Sequence, residues 1–248
     1  MSRFGSAAWG ARRGGRLTAD EQAGLFLGLL GRRVSVRFAR RRGVAAPLAD
    51  IDISLPDSGL TRAALVHCVA ECPPAIVNHS LRCFAWGTLL GERDNRRFDR
   101  EALAVAALLH DVELGRTARR ARFGCTCFAC AGAEGARVFL TGRAASASMV
   151  DLVCDAIALH LNPHVPIEAG AEAHLLNAAA GLDVVGAGLS GLHPDDRGRV
   201  LARHPKSGFK TLMIEAMGRE HARAPQTRAG LLVRLGFRTL IARAPFDG

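Results

Sequence analysis

A-V-A-A-L-L-H-D-V-E-L-G, Ala104 to Gly115, carries an unbroken apolar run straight into an imidazole and a carboxylate. From Leu103 to Leu109 the segment has no polar face, and a helix that is apolar all round belongs in a protein interior. Asp99 stands where a cap would, so a helix is expected over 100–110 with His110 as its last residue. Asp111 then follows inside the fold. An ionised carboxylate there costs several kcal/mol unless it is paired or holds a metal.

Helical signals repeat on both sides of this stretch. Thr61 can cap a helix to about residue 72, ended by Pro73 and Pro74, and a second helix over 75–90 is expected to close at Gly91. Further helices are expected over 131–140, 146–160, 169–180, 195–203, 209–221 and 227–235, with Asn162, Pro163, Pro205 and Pro225 as breaks. No period-two runs compete with them, so the fold class is all-α, one helical domain over 51–240. Ahead of it, T-A-D-E (Thr18 to Glu21) is a capping-box pattern that predicts a short helix over 19–30. V-S-V-R-F (Val34 to Phe38) alternates like a brief strand, and the Arg run 40–42 reads as a linker, making 1–50 a basic N-terminal extension.

The formal charge of +10 comes from 33 basic residues of which only Lys206 and Lys210 are lysines. Ten arginines against Asp20 and Glu21 lie in residues 1–45, so the basicity belongs to the extension and not to the helical body. With no Tyr and no basic stripe interleaved with aromatics, the body does not read as a nucleic-acid binder. Ala23 to Leu30 is too short to span a bilayer, and the acidic pair before it does not suit a signal peptide. A cytoplasmic protein is the expectation, with its seven cysteines reduced. Cys125, Cys127 and Cys130 form a C-x-C-x-x-C cluster without a second C-x-x-C, which reads as packing thiols ahead of a zinc site.

The remaining polar residues fall on apolar faces. His79 shares a helix face with Ile76, Cys83, Trp86 and Leu90; His160 continues the face of Val153 and Ile157; Asp183 continues that of Leu176 and Ala179. Arg82 could pair with one buried carboxylate but not with both. Neutral His nitrogens and Asp oxygens together suit one divalent transition metal, whether Zn, Fe, Mn or Ni.

In order, L-P-D-S (Leu55 to Ser58), P-P-A-I-V-N-H-S-L-R (Pro73 to Arg82), A-A-L-L-H-D (Ala106 to Asp111), G-A-E-G-A-R (Gly132 to Arg137), D-A-I-A-L-H (Asp155 to His160), G-L-D-V-V-G (Gly181 to Gly186) and P-K-S-G-F-K (Pro205 to Lys210) resemble the HD-domain superfamily of metal-dependent hydrolases, most closely its cyanamide hydratase-like branch. The resemblance implies a metal held by His79, His110, Asp111 and Asp183, with His160 contacting substrate, supporting the site or adding a ligand. Glu113, Phe84 and the three thiols of Phe123 to Cys130 depart from that pattern, which puts the substrate in doubt.

The chemistry expected of such a site is hydrolysis or hydration of a small-molecule substrate, with metal-activated hydroxide as nucleophile and His160 moving the proton. A phosphohydrolase is the alternative and would need a cation such as Arg82 on the phosphoryl oxygens; Arg82 reads equally as a structural partner of Asp111 or Glu113. A non-catalytic binding module with the same fold is a third possibility. Glu113 reads as a solvated loop carboxylate, or as an acid or base closing over the site.

Overall fold

The computed structural model describes residues 3–28, 46–114 and 123–246. Among these the chain is helical, with no strand and one isolated bridge between Arg16 and Thr227. Along the chain run α1 (Ala7–Arg13), α2 (residues 19–28), α3 (Gly59–Glu71), α4 (Pro74–Arg93), α5 (Arg100–Leu109), α6 (Phe128–Thr141) and α7 (Ala147–Leu159). After them come α8 (Ala171–Val185), α9 (Pro194–Arg203), α10 (Phe209–Arg223), α11 (Arg228–Arg234) and α12 (Phe237–Ala242). The strand expected over Val34 to Phe38 and the linker over 40–42 lie outside the described residues.

Local chemistry explains most boundaries. The Asp99 carboxylate accepts from the Ala102 amide and Ser146 Oγ from that of Met149, starting α5 and α7 where the sequence places them. Ser58, not Thr61, caps α3, by accepting from the Thr61 amide. The capping box forms as expected: Glu21 accepts from the Thr18 amide at 2.8 Å and Thr18 Oγ1 from the Glu21 amide at 3.2 Å.

Gly91, expected to stop a helix, does not, and the helix expected over 169–180 runs past that end. α4 passes through Gly91 to Arg93, because the missing side chain makes room for Phe98, whose ring comes within 2.5 Å of where a Cβ would sit. α8 passes through Gly181 and stops at Gly186, whose left-handed backbone (φ 73°) lets its amide and that of Ala187 bond back to Leu182 and Gly181. That extra turn is what puts Asp183 on a helix. The short helices α1 and α12 carried no periodic signal.

Helix α4 packs mainly against α8 and α5, and α7 against α6 and α8. The buried core of this bundle includes Cys83, Trp86, Leu103, Leu108, Ile157 and Leu176. A second apolar cluster joins Trp9, Phe128, Phe209, Met213 and Leu231, so the described part of the basic extension lies against the bundle. There the Leu17 amide bonds to the Gln226 carbonyl and the Ala7 amide to Asp155. At Gly10 and Gly15 the extension lies directly on Cys130 and Cys127. No helix among the described residues is long and apolar enough to cross a membrane.

Candidate metal centre

Four helices of the bundle supply the centre: His79 from α4, His110 and Asp111 from the end of α5, His160 from the end of α7, and Asp183 from α8. All are buried. His110 and His160 occupy equivalent places, each directly after the last helical residue. Carbonyls near a helix C-terminus lack intrahelical donors, and each ring uses one: His110 Nδ1 donates to Ala107 O at 2.7 Å and His160 Nδ1 to Ile157 O at 2.6 Å. His79 Nδ1 donates to Asp183 Oδ2 at 2.7 Å. A carbonyl or an ionised carboxylate can only accept, so in the neutral form all three imidazoles keep a bare lone pair on Nε2.

Those lone pairs converge. His79 Nε2 and His110 Nε2 are 3.2 Å apart, and each is 3.4 Å from Asp111 Oδ2. His160 Nε2 lies 3.7 Å from Asp111 Oδ1, a buried oxygen with no hydrogen-bond partner. Three nitrogen lone pairs and a carboxylate facing one another repel unless a cation sits among them, so the donor set fits a divalent metal on its own chemistry. Cys83 Sγ is 3.6 Å from His79 Nε2 and close enough to join His79 and His110. Burial raises the Cys83 pKa and keeps it a thiol, the weaker donor.

The electrostatics divide the three imidazoles. Burial opposes charge on His79, but Cys83 and the bonds to Asp111 and Asp183 raise its pKa well above the usual imidazole value, so a metal has to displace a proton there. Burial lowers the pKa of His110, and burial together with His110 pushes that of His160 down to about 3, so both stay neutral. Burial alone would raise Asp111, but His110 and the hydrogen bond from His79 outweigh it and hold the carboxyl below the usual range.

Asp183 stands behind this cluster. Its Oδ1 accepts from Arg82 Nε at 2.8 Å and Trp86 Nε1 at 2.9 Å; its Oδ2 accepts from His79 and from Arg82 Nη2 at 2.9 Å, with Lys206 Nζ at 3.2 Å. The resemblance counts Asp183 as a ligand; here both oxygens are engaged by these donors. Burial opposes its charge, but the His79 bond and the Arg82 charge keep it well below the ordinary carboxylate range. Arg82 therefore pairs with Asp183 rather than with Asp111 or Glu113, and its Nη1 is taken by the carbonyls of His204 and Pro205.

Glu113 is buried alongside Gly135, which corrects the expectation of a solvated loop carboxylate. Cys127 and Cys130 are buried beside Arg228. Three contributors were missed in the sequence. Trp86 and Lys206 hold Asp183, and Phe209 stacks on His79 with ring centroids 4.6 Å apart. Lys206 and Phe209 lie inside the quoted P-K-S-G-F-K, so the signal was present without an assignable role.

His79, His110, Asp111 and His160 line the inner end of a cavity of about 1110 Å³. A comparison with curated proteins returned no match. Residues 76–203, more than half of the chain, match the HD domain, and this span holds all the metal-facing residues together with Asp183. On that match the chain belongs to the HD domain family, within a superfamily of metal-dependent hydrolases.

Proposed function

We propose that the protein is a metal-dependent hydrolase or hydratase acting on an electrophilic carbon of a small molecule. One divalent transition metal is held by His79, His110 and Asp111, with His160 beside them and outside the ligand set. When bound, such a metal supplies Lewis acidity, bringing the pKa of water from about 15.7 toward about 7 in the case of zinc and polarising the electrophile. Asp111 Oδ1 faces His160, and the neutral His160 Nε2 can take the proton released when water adds. For a nitrile, the new C–O bond forms as one C–N π bond breaks, and His160 returns that proton to nitrogen to give the imidic acid, which becomes the amide when its O–H proton shifts to nitrogen as the C=O bond forms and the second C–N π bond is lost. Asp183 is a positioning residue that fixes the ring of His79 through Nδ1.

The observation that carries the carbon-electrophile reading is the commitment of the two cations beside Asp183. Arg82 and Lys206 are bound to Asp183 and to backbone carbonyls, so neither is free to clamp phosphoryl oxygens as a phosphoester reaction requires.

Elemental analysis of purified full-length protein is expected to find close to one equivalent of metal. In Asp111→Ala this should fall to less than about a tenth while the far-UV circular dichroism stays native. A panel of nitriles, amides and phosphate esters on the same preparation should show turnover of carbon substrates only. Phosphate release abolished by Asp111→Ala would transfer the protein to the phosphohydrolases.

A further inference from the structure

The cavity in front of the metal centre is built from two sources. Its inner end belongs to the matched HD span, whereas one long wall comes from helices after residue 203: Met213 and Met217 of α10, Leu232 of α11, Leu235, and Phe237 and Leu240 of α12. That wall is apolar throughout, and its two methionines can adapt to an irregular ligand. Phe26 of α2, 43% exposed, extends the same character to the lining on another side. At about 1110 Å³ the space is at the upper end for a drug-sized ligand, and a nitrile of a few atoms would leave nearly all of it empty.

The lining also holds three arginines. Arg93 is taken up by Asp94 through two contacts of 2.7 and 2.8 Å. Arg197 of α9 also lines the cavity, and its Nε is buried with no hydrogen-bond partner. The terminal amino groups of Arg197 make no ion pair or hydrogen bond among the described residues, so they can donate to a ligand oxygen. Arg243, an exposed residue of the same lining, adds a second positive charge.

We infer that this cavity selects an amphipathic small molecule, with an aliphatic or aromatic body lying against α10 to α12 and one anionic group, remote from the reacting carbon, received by Arg197. The inference rests on the carbon-hydrolase reading for the identity of the inner end, but the binding it describes is measurable without turnover.

The test uses full-length protein with 1-anilinonaphthalene-8-sulfonate, itself an apolar anion, as fluorescent probe, displaced by straight-chain alkanoates, the matching 1-alkanols, and adenosine monophosphate. Alkanoate affinity should rise about threefold to fourfold per added methylene until the cavity is full, from about 0.8 kcal/mol per buried CH₂. R197Q should weaken alkanoates by about tenfold and leave alkanols unchanged, whereas Leu232→Asn should weaken both series alike. Displacement by the nucleotide but not by alkanoates, affinity indifferent to chain length, or equal losses of alkanoate and alkanol in R197Q would overturn the inference. Metal content measured on the same samples separates the two readings. Metal-free protein that binds alkanoates as described removes the hydrolase reading and leaves this one, and metal-loaded protein that ignores them does the reverse.

Discussion

Asp111 and Asp183 are the two buried carboxylates of the centre, and their surroundings give them different work. Asp183 is surrounded by donors and carries the charge balance of Arg82 and Lys206, while Asp111 keeps one oxygen without any hydrogen-bond partner. Removing Asp183 strands two buried cations, so Asp183→Ala should destabilise the protein by about 3–5 kcal/mol, read by urea unfolding. Asp111→Ala should cost the metal-free protein clearly less. If Asp183 acts through His79, Asp183→Asn, which keeps an oxygen for Nδ1, should retain metal with affinity reduced about 10–100-fold. Loss of metal as complete as in Asp111→Ala would make Asp183 a ligand instead.

Helix ends do the positioning at the scale of the element. His110 and His160 each sit one residue beyond a helix and each spend one ring nitrogen on the carbonyl three residues back, so helix termination and tautomer are settled by the same contact. Ends are also where the fold is least tolerant. A Cβ on Gly230, near the start of α11, would meet backbone of Ala224 and Pro225 at 2.5 and 2.6 Å. Main chain cannot swing aside as a side-chain tip can, so Gly230→Ala should lower stability by about 1–3 kcal/mol, seen as a reduced melting temperature. The damage should also reach the apolar wall of the cavity, through Leu232.

Across the whole molecule, the described part of the basic extension is packed against the bundle. Trp9 faces Arg228, and the backbone at Gly10 and Gly15 lies on Cys130 and Cys127. Deleting residues 1–17 should therefore expose those two thiols, raising their rate of reaction with an aromatic disulfide reagent by at least about tenfold over the intact chain, in which both are buried. Acid sensitivity is likewise a property of the whole fold. An unfolded His160 takes a proton near 6.5 and the folded one only near 3. Between those values the unfolded chain binds the extra proton, so stability falls as pH drops through this window. In chelator-treated protein His160→Asn should flatten that part of the stability profile, measured by urea unfolding at successive pH values.

The sequence by itself determined the helical class, most helix starts, and the burial of His79, His110, Asp111, His160 and Asp183, because caps and apolar periodicity are local properties of the chain. It also placed α8 one turn short of Asp183 and sent Glu113 to solvent, since whether a glycine ends a helix or a carboxylate finds cover depends on what packs against it. Only the tertiary structure decided how the polar residues divide. That His160 stands with the three metal-facing groups, while Asp183 faces Arg82 and Trp86 of α4 and Lys206 of the chain after α9, follows from the packing of α4, α5, α7 and α8 and of that later segment. Such convergence of side chains far apart in sequence leaves no periodic trace in any one of them.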